Sequence, residues 1–208
     1  MKLQLPPAAF VNKFIPKSKL LNQSSANTKL KQELTDQIQR ITWKYKIAEG
    51  TVGIVKTDKV EEIQVFELEL KQQIIPKKII RLIHRSIPYP ILYILTFKDQ
   101  TAYAIVLDDS EHKHEYFTDW NAEINIIFSG NDLEKVYNNL VRSFITSIDT
   151  NEKPFTEVVS TDLKIKEVCK EIERFESKIK REMQFNKKVG LNQKLLSLKK
   201  ELAELQKA

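Results

Sequence analysis

Three residues between positions 58 and 71 have the types and spacing of a metal-dependent nuclease site. Asp58 precedes Glu69 by 11 residues, and Glu69 begins a Glu-Leu-Lys triplet that ends at Lys71. In such nucleases two carboxylates hold a divalent cation such as Mg²⁺, and the lysine positions the attacking water. Glu-x-Lys is also a common triplet in a chain with 30% charged residues. A nuclease that needs Mg²⁺ is therefore the alternative function, and we expect no nuclease activity and no metal or other cofactor.

Two further groups combine residues that could bind a metal or nucleic acid. His112-Lys113-His114 lies within a run of carboxylates, but its spacing does not match a zinc site. Trp43-Lys44-Tyr45-Lys46 alternates aromatic rings with cations, as surfaces that stack bases and neutralise phosphates do. Strand alternation predicts that Trp43 and Tyr45 share one face and the lysines the other, which is typical of an ordinary core-facing strand.

The elements that would position these residues alternate between strands and helices. The strands are expected at Ile41–Ile47, Ile63–Lys71, Ile91–Phe97, Ala102–Leu107, Tyr116–Trp120 and Glu123–Phe128. Asn27 or Thr28 caps one expected helix, Pro76 begins another, and Asn131-Asp132 caps a third. This order predicts an α+β fold with a single mixed, mostly antiparallel sheet flanked by helices. The segment from Ile63 to Phe97 is expected to form one parallel crossover.

The C-terminal residues carry the strongest helical pattern in the chain. Apolar residues recur at alternating steps of three and four and form a narrow seam. The seam residues are Ile165, Val168, Ile172, Phe175, Ile179, Leu191, Leu195, Leu198, Leu202 and Leu205. We expect a globular domain at residues 1–150, a linker at 151–160 and a helical coiled-coil arm at 161–208.

The two halves of the seam do not belong to one continuous heptad series. The break lies at Gln184–Gly190, where Asn186 and Gly190 permit a reversal of direction. We favour a helical hairpin in which the two halves bury each other, and a continuous helix with a stutter is the alternative.

Positive charge is concentrated on the arm. The whole chain has a net charge of +6, and residues 161–208 account for +5 of it. The basic surface that could contact nucleic acid comprises Arg174, Lys180, Arg181, Lys187 and Lys188. Acidic residues are interleaved with these cations, which is typical of a solvated helical flank.

The composition also predicts the compartment. No apolar run approaches the roughly 18–20 residues that span a bilayer, and the first residues lack a leader-like apolar segment. Cys169 is the single cysteine, which excludes an intrachain disulfide. We expect a cytoplasmic protein with no membrane association.

Several stretches together resemble a known family. They are Leu5-Pro6, Val11–Lys13, Ile15–Lys17, Ile41–Ala48, Val60–Leu68, Ile87–Tyr89, Gln184–Val189 and Leu191-Asn192. The chain resembles an uncharacterised bacterial family of domains of unknown function, encoded beside helicases, adenine methyltransferases and Type III-like restriction genes. The resemblance spans nearly the whole chain and supplies no catalytic residues. It implies a restriction-modification or antiviral-defence setting and DNA-handling protein partners.

These observations favour a non-enzymatic accessory or adaptor subunit of a bacterial DNA-processing or anti-phage defence complex. The arm would dock on a protein such as a helicase or methyltransferase subunit, or would pair with a second copy of itself. A weak contact with nucleic acid through the basic surface is the third expectation.

Overall fold

The computed structural model describes residues 5–22, 27–108, 113–150 and 153–207. The chain forms two compact units, Met1–Phe144 and Ile145–Ala208. The strands of the first unit are β1 (Phe10–Phe14), β2 (Ile38–Ala48), β3 (Glu62–Leu70), β4 (Ile91–Phe97), β5 (Gln100–Asp108) and β6 (Lys113–Phe117). Its helices are α1 (Lys17–Asn22), α2 (Thr28–Gln37), α3 (Glu49–Val52), α4 (Lys77–Ser86) and α5 (Leu133–Arg142), after a 3₁₀ turn at Pro7–Ala9. The second unit contains α6 (Phe155–Arg181) and α7 (Phe185–Leu205).

The described strands form one six-stranded sheet in the order β1-β2-β3-β4-β5-β6. Only the β3–β4 pair in this sheet is parallel, and α4 connects these two strands. The other neighbours pair antiparallel. The predicted fold class is therefore confirmed, including the parallel crossover between Ile63 and Phe97.

One face of the sheet packs against α1, α2 and α4. This face presents Phe66, Leu68 and Leu70 from β3, and the core it forms is almost entirely excluded from solvent. The other members of the core are Leu20, Leu34, Ile38, Ile41, Ile79, Ile80, Ile83, Ile91, Tyr93, Leu95, Ala102, Ala104 and Val106. Burial of these side chains supplies the main driving force for folding of the first unit.

Local chemistry starts two of the helices where the sequence predicts. The Asn27 side-chain oxygen accepts a hydrogen bond from the Leu30 amide at 2.9 Å. The Asp132 carboxylate accepts one from the Lys135 amide at 2.7 Å. Each bond satisfies a backbone donor that has no partner within its helix.

Two segments of the first unit differ from the predictions. Phe10–Phe14, which is not among the expected strands, is strand β1 because it pairs with β2. Glu123–Phe128, expected as a strand, has no strand partner, and the Ile127 amide instead bonds the Ser143 hydroxyl at 3.4 Å. A strand is stable when a neighbouring strand forms hydrogen bonds with its backbone N–H and C=O groups. A composition that favours strands does not supply that neighbour.

The C-terminal unit is a helical hairpin, as favoured from the sequence. Helix α6 begins at Phe155, after Pro154, so its first turn and a half lies within the segment expected as a linker. The reversal occurs at Glu182–Gln184 rather than near Gly190, which lies inside α7. Glu182 and Gln184 have extended backbone angles, and the Glu182 carboxylate accepts from the Gln184 amide at 2.8 Å. Gly190 is tolerated within the helix because its cost of about 1 kcal/mol is small beside the packing of a long hairpin.

None of the described helices combines the length and the apolar character needed to cross a membrane.

Candidate functional site

The structure does not bring the three nuclease-like residues together. Asp58 is exposed in a turn before the first residue of β3, whereas Glu69 lies near the last residue of that strand. The seven steps from Glu62 to Glu69 alone span about 23 Å at the rise of an extended strand. The two carboxylates therefore lie towards opposite ends of β3, and they do not form a shared cation site.

Lys71 has a structural partner of its own. Its ammonium donates a hydrogen bond to the Thr35 carbonyl at 2.9 Å, in the last turn of α2. Helix α2 packs on the face of the sheet that presents Leu68 and Leu70, while Glu69 points to the opposite face by strand alternation. A cation at a helix C-terminus satisfies free carbonyls and complements the helix dipole. This contact accounts for Lys71 without any catalytic role.

The aromatic and basic stretch of β2 contains a β-bulge that separates its two rings. Trp43 pairs with Phe66, and Tyr45 pairs with the adjacent β3 residue, Val65. Lys44 is therefore the extra residue of the bulge. Trp43 and Tyr45 therefore point to opposite faces of the sheet, and the expectation that they share one face is wrong. Lys44 forms an ion pair with Glu67 at 2.8 Å. The stretch does not form a base-stacking platform.

The histidine-rich loop falls partly outside the described residues, because His112 is among those that the structure does not describe. Nearby, His84 near the end of α4 places its Nε2 3.7 Å from the Asp108 carboxylate. Burial lowers the pKa of His84 from its ordinary value of 6.5, against the opposing effect of Asp108. In the described part of the chain, no three potential histidine, cysteine or carboxylate ligands converge as a metal site would require.

This lowered pKa predicts an acid-dependent loss of stability. The unfolded chain takes up a proton on His84 as the pH falls below about 6.5, before the folded chain does. The free energy of unfolding should therefore decrease from pH 7 to pH 5.5, and His84→Gln should reduce that decrease. Urea denaturation at several pH values, with an NMR titration of His84, measures both effects. A His84 resonance that titrates above pH 6.5 would contradict the prediction.

The seam of the hairpin is arranged as a mirror image. From the turn outwards, the seam residues of both helices follow the same alternating steps of four and three. We infer from this spacing and from the two ion pairs between the helices that Ile179 lies opposite Leu191, and the remaining pairs follow in order. These are Phe175 with Leu195, Ile172 with Leu198, Val168 with Leu202, and Ile165 with Leu205. Ile165 and Val168 are buried, and the other eight are partly buried.

Two ion pairs between α6 and α7 support this register. Lys199 lies 2.9 Å from Glu176, and Lys164 lies 3.5 Å from Glu201. Lys199 lies farther from the turn than the residue opposite Glu176, and Glu201 lies nearer to the turn than the residue opposite Lys164. The two displacements are equal and opposite, so the ion pairs are centred on this register. Exposed pairs of this kind contribute at most about 1 kcal/mol each, so the apolar seam provides most of the stability.

A buried carboxylate lies within the second unit. Asp162 of α6 accepts hydrogen bonds from the Ser147 hydroxyl at 2.6 Å and from the Lys166 ammonium at 2.7 Å. Its side chain is 1% exposed, whereas that of Lys166 is 35% exposed. The charge therefore has a close cationic partner, which a buried carboxylate needs.

The surface of α7 that faces away from the seam carries exposed apolar residues, which we call the α7 stripe. It consists of Phe185, Val189 and Leu196, exposed by 77%, 41% and 68%. At 100° per residue, Val189 and Leu196 lie within about 40° of Phe185 around the helix. The centre of the seam lies about 120° from Phe185 and farther from the other two residues. The stripe is not among the residues predicted from the sequence, although apolar residues at i, i+4 and i+11 are a signal for it.

The turn of the hairpin carries most of the cations predicted as a nucleic-acid surface. Lys180 and Arg181 end α6, Lys187 and Lys188 lie in the first turn of α7, and all four are exposed. Arg174 is also exposed, but it lies two turns before the end of α6. The structure thus brings four of the five predicted cations to one end of the hairpin.

The fold and surface define a class of protein: a mixed-sheet α+β domain followed by a helical hairpin with an exposed apolar stripe and a basic turn. The family model described as Domain of unknown function (DUF4391) matches residues 3–202, and the chain belongs to this family. No curated protein and no solved structure matches the chain.

Proposed function

We propose that this protein is a non-enzymatic accessory subunit of a bacterial DNA-processing or anti-phage defence complex, and that it docks on a protein partner through its helical arm. The α7 stripe is the single observation that carries this proposal. The two helices of the hairpin bury their seam residues against each other, so the seam is not available to a partner. The stripe remains as an apolar surface without a partner among the described residues.

The stripe has the spacing of a helix that enters an apolar groove. Phe185, Val189 and Leu196 are aligned along about three turns of one helix face, and docked helices commonly use anchors at such positions. A large aromatic side chain at one end provides the type of anchor that contributes most to interface affinity. The proposed partner surface is therefore an apolar groove.

The choice of partner rests on the resemblance to a family encoded beside helicases, adenine methyltransferases and restriction genes. We propose a helicase or methyltransferase subunit of a restriction-modification or antiviral-defence system in the bacterial cytoplasm. The alternative nuclease has no support from the positions of Asp58, Glu69 and Lys71, so we do not propose it.

Co-purification of defined partners tests this function. The full chain, carrying an affinity tag, is co-expressed with the helicase and methyltransferase encoded nearest to it, and the retained subunit is identified by mass spectrometry. Leu196→Asp should reduce recovery of that subunit at least tenfold, because a charge would enter the apolar interface. Ser197→Asp is the matched control, since it adds the same charge at the next exposed position outside the stripe.

Recovery that is equal for both variants would contradict docking through the stripe. Light scattering on the purified chain covers the alternative of self-association. A dimer that becomes a monomer only in Leu196→Asp would assign the stripe to a second copy and would contradict the proposed partner.

A further inference from the structure

The turn of the hairpin combines exposed apolar side chains with a high density of positive charge. Met183 is 95% exposed in the turn itself, and Phe185 at the start of α7 is 77% exposed. Residues 178–188 contain five cations, which are Lys178, Lys180, Arg181, Lys187 and Lys188, and a single carboxylate at Glu182. We call the two apolar residues and these five cations the basic tip.

Lys178 of the basic tip lies over the Phe175 ring, 5.5 Å from its centroid, but the other four charges are not explained by interactions within the described part of the protein. Across the described chain, Lys180, Arg181, Lys187 and Lys188 form no ion pair, whereas Lys164 and Lys199 pair across the hairpin. Cations at the end of α6 complement its dipole, but the two lysines in the first turn of α7 oppose the dipole of that helix. Helix α7 has no acidic residue in its first turn. Folding alone would therefore favour a different charge at Lys187 and Lys188.

Clustered cations around exposed apolar side chains are complementary to the phosphates and bases of a nucleic acid. The cations can neutralise phosphates, and Phe185 or Met183 can stack on or insert beside a base. A membrane surface fits less well, because it requires a continuous apolar face along a helix, and exposed Asn192 interrupts the α7 stripe between Val189 and Leu196. A continuous duplex offers no open base face unless its bases are first unstacked, which is energetically unfavourable.

We propose that the basic tip binds DNA at a position with unpaired bases, such as a single strand or a fork, with phosphates on the cations and a base against Phe185. This inference rests on the proposed function for its choice of a DNA-processing setting. Tip binding requires no protein partner, so it is measured separately from docking through Leu196. Phe185 belongs to both surfaces and contacts one ligand at a time, so docking is tested at Leu196, outside the tip, and DNA binding on the chain alone. The two proposals can therefore fail independently.

Fluorescence anisotropy with the purified full chain tests the inference. The probes are a 20-nucleotide single strand, a fork of the same sequence and the corresponding blunt duplex, each measured at several salt concentrations. We expect the single strand and the fork to bind at least fivefold more tightly than the duplex. Lys187→Glu/Lys188→Glu should weaken binding at least tenfold and lower the salt slope by about 2. Phe185→Ala should weaken binding about tenfold with little change in the salt slope.

Two controls distinguish an effect of the tip on DNA binding from a general effect of charge and from misfolding. Lys194→Glu/Lys200→Glu makes the same charge change at exposed positions farther along α7, and it should retain most of the affinity. Circular dichroism melting confirms that each variant is folded. A fork labelled with 2-aminopurine at the junction should change its fluorescence with the wild-type chain and not with Phe185→Ala.

Other outcomes would overturn the inference. Absence of DNA binding at low salt, or equal losses in the tip and control variants, would mean that the tip cations only solvate the hairpin. Tighter binding to vesicles of phosphatidylglycerol and phosphatidylcholine than to the fork would assign the tip to an anionic membrane. Binding that is unaffected by Phe185→Ala would remove the base contact from the proposal.

Discussion

Phe175→Asp is expected to open the helical hairpin. Phe175 lies in the seam opposite Leu195, and the change removes a large apolar contact and places a carboxylate in an apolar surrounding. Together these effects should destabilise the hairpin by about 3 kcal/mol. Because most helical stability in proteins comes from the packing of an apolar face, α7 should be only marginally helical once separated from α6. Limited proteolysis should cleave α7 rapidly, and far-UV circular dichroism should show a loss of helix.

A neighbouring substitution and a rescue make this result specific. Arg174→Asp introduces the same carboxylate at an exposed position and should leave the hairpin closed. Leu195→Lys should partly rescue Phe175→Asp because the mirrored register places the two side chains opposite each other. Leu205→Lys lies at the other end of the seam and should not rescue it. Equal rescue by both lysines would contradict the register.

Lys166→Met is expected to destabilise the second unit by about 3 kcal/mol. The substitution leaves the buried Asp162 carboxylate with the Ser147 hydroxyl but without its cation, and an unpaired buried charge is costly. Hydrogen exchange of α6 amides measures the loss locally, and thermal unfolding measures it for the whole chain.

The adjacent helix surface offers a control for this second prediction. Lys170→Met, one turn further along α6 at an exposed position, should change the stability by less than 0.5 kcal/mol. Combining Lys166→Met with Asp162→Asn should recover part of the loss, because the uncompensated charge is then absent. If Lys166→Met and Lys170→Met are equally stable, the ion pair with Asp162 has no role in stability.

Features specified by neighbouring residues were predictable from the sequence. Asn27 and Asp132 cap helices through bonds to amides three residues away, so the residue types suffice to place them. The seam residues were recognisable because their alternating steps of three and four match helical periodicity. The parallel crossover followed from a helix between two strongly apolar strands.

Features that depend on partners distant in the chain were not predictable in this way. The strand β1 exists because β2 offers a neighbour, and the bulge between Trp43 and Tyr45 arises from the pairing of β2 with β3. Gly190 looked like a turn residue, but the hairpin reverses at Glu182–Gln184 and leaves the glycine inside a helix. The candidate nuclease residues failed for the same reason, because spacing along the chain does not specify which end of a strand or which face a side chain occupies.

The mirrored seam has a consequence for how the arm forms during folding. Ile179 and Leu191 are the closest seam pair in the sequence, so they have the smallest loop-closure entropy to overcome. Each further pair outward then closes a slightly larger loop beside contacts that already exist. The hairpin should therefore form progressively outward from its turn, on the fast timescale of local helical structure. Pairing of the parallel strands β3 and β4 requires closure of the longer crossover through α4 and should be slower.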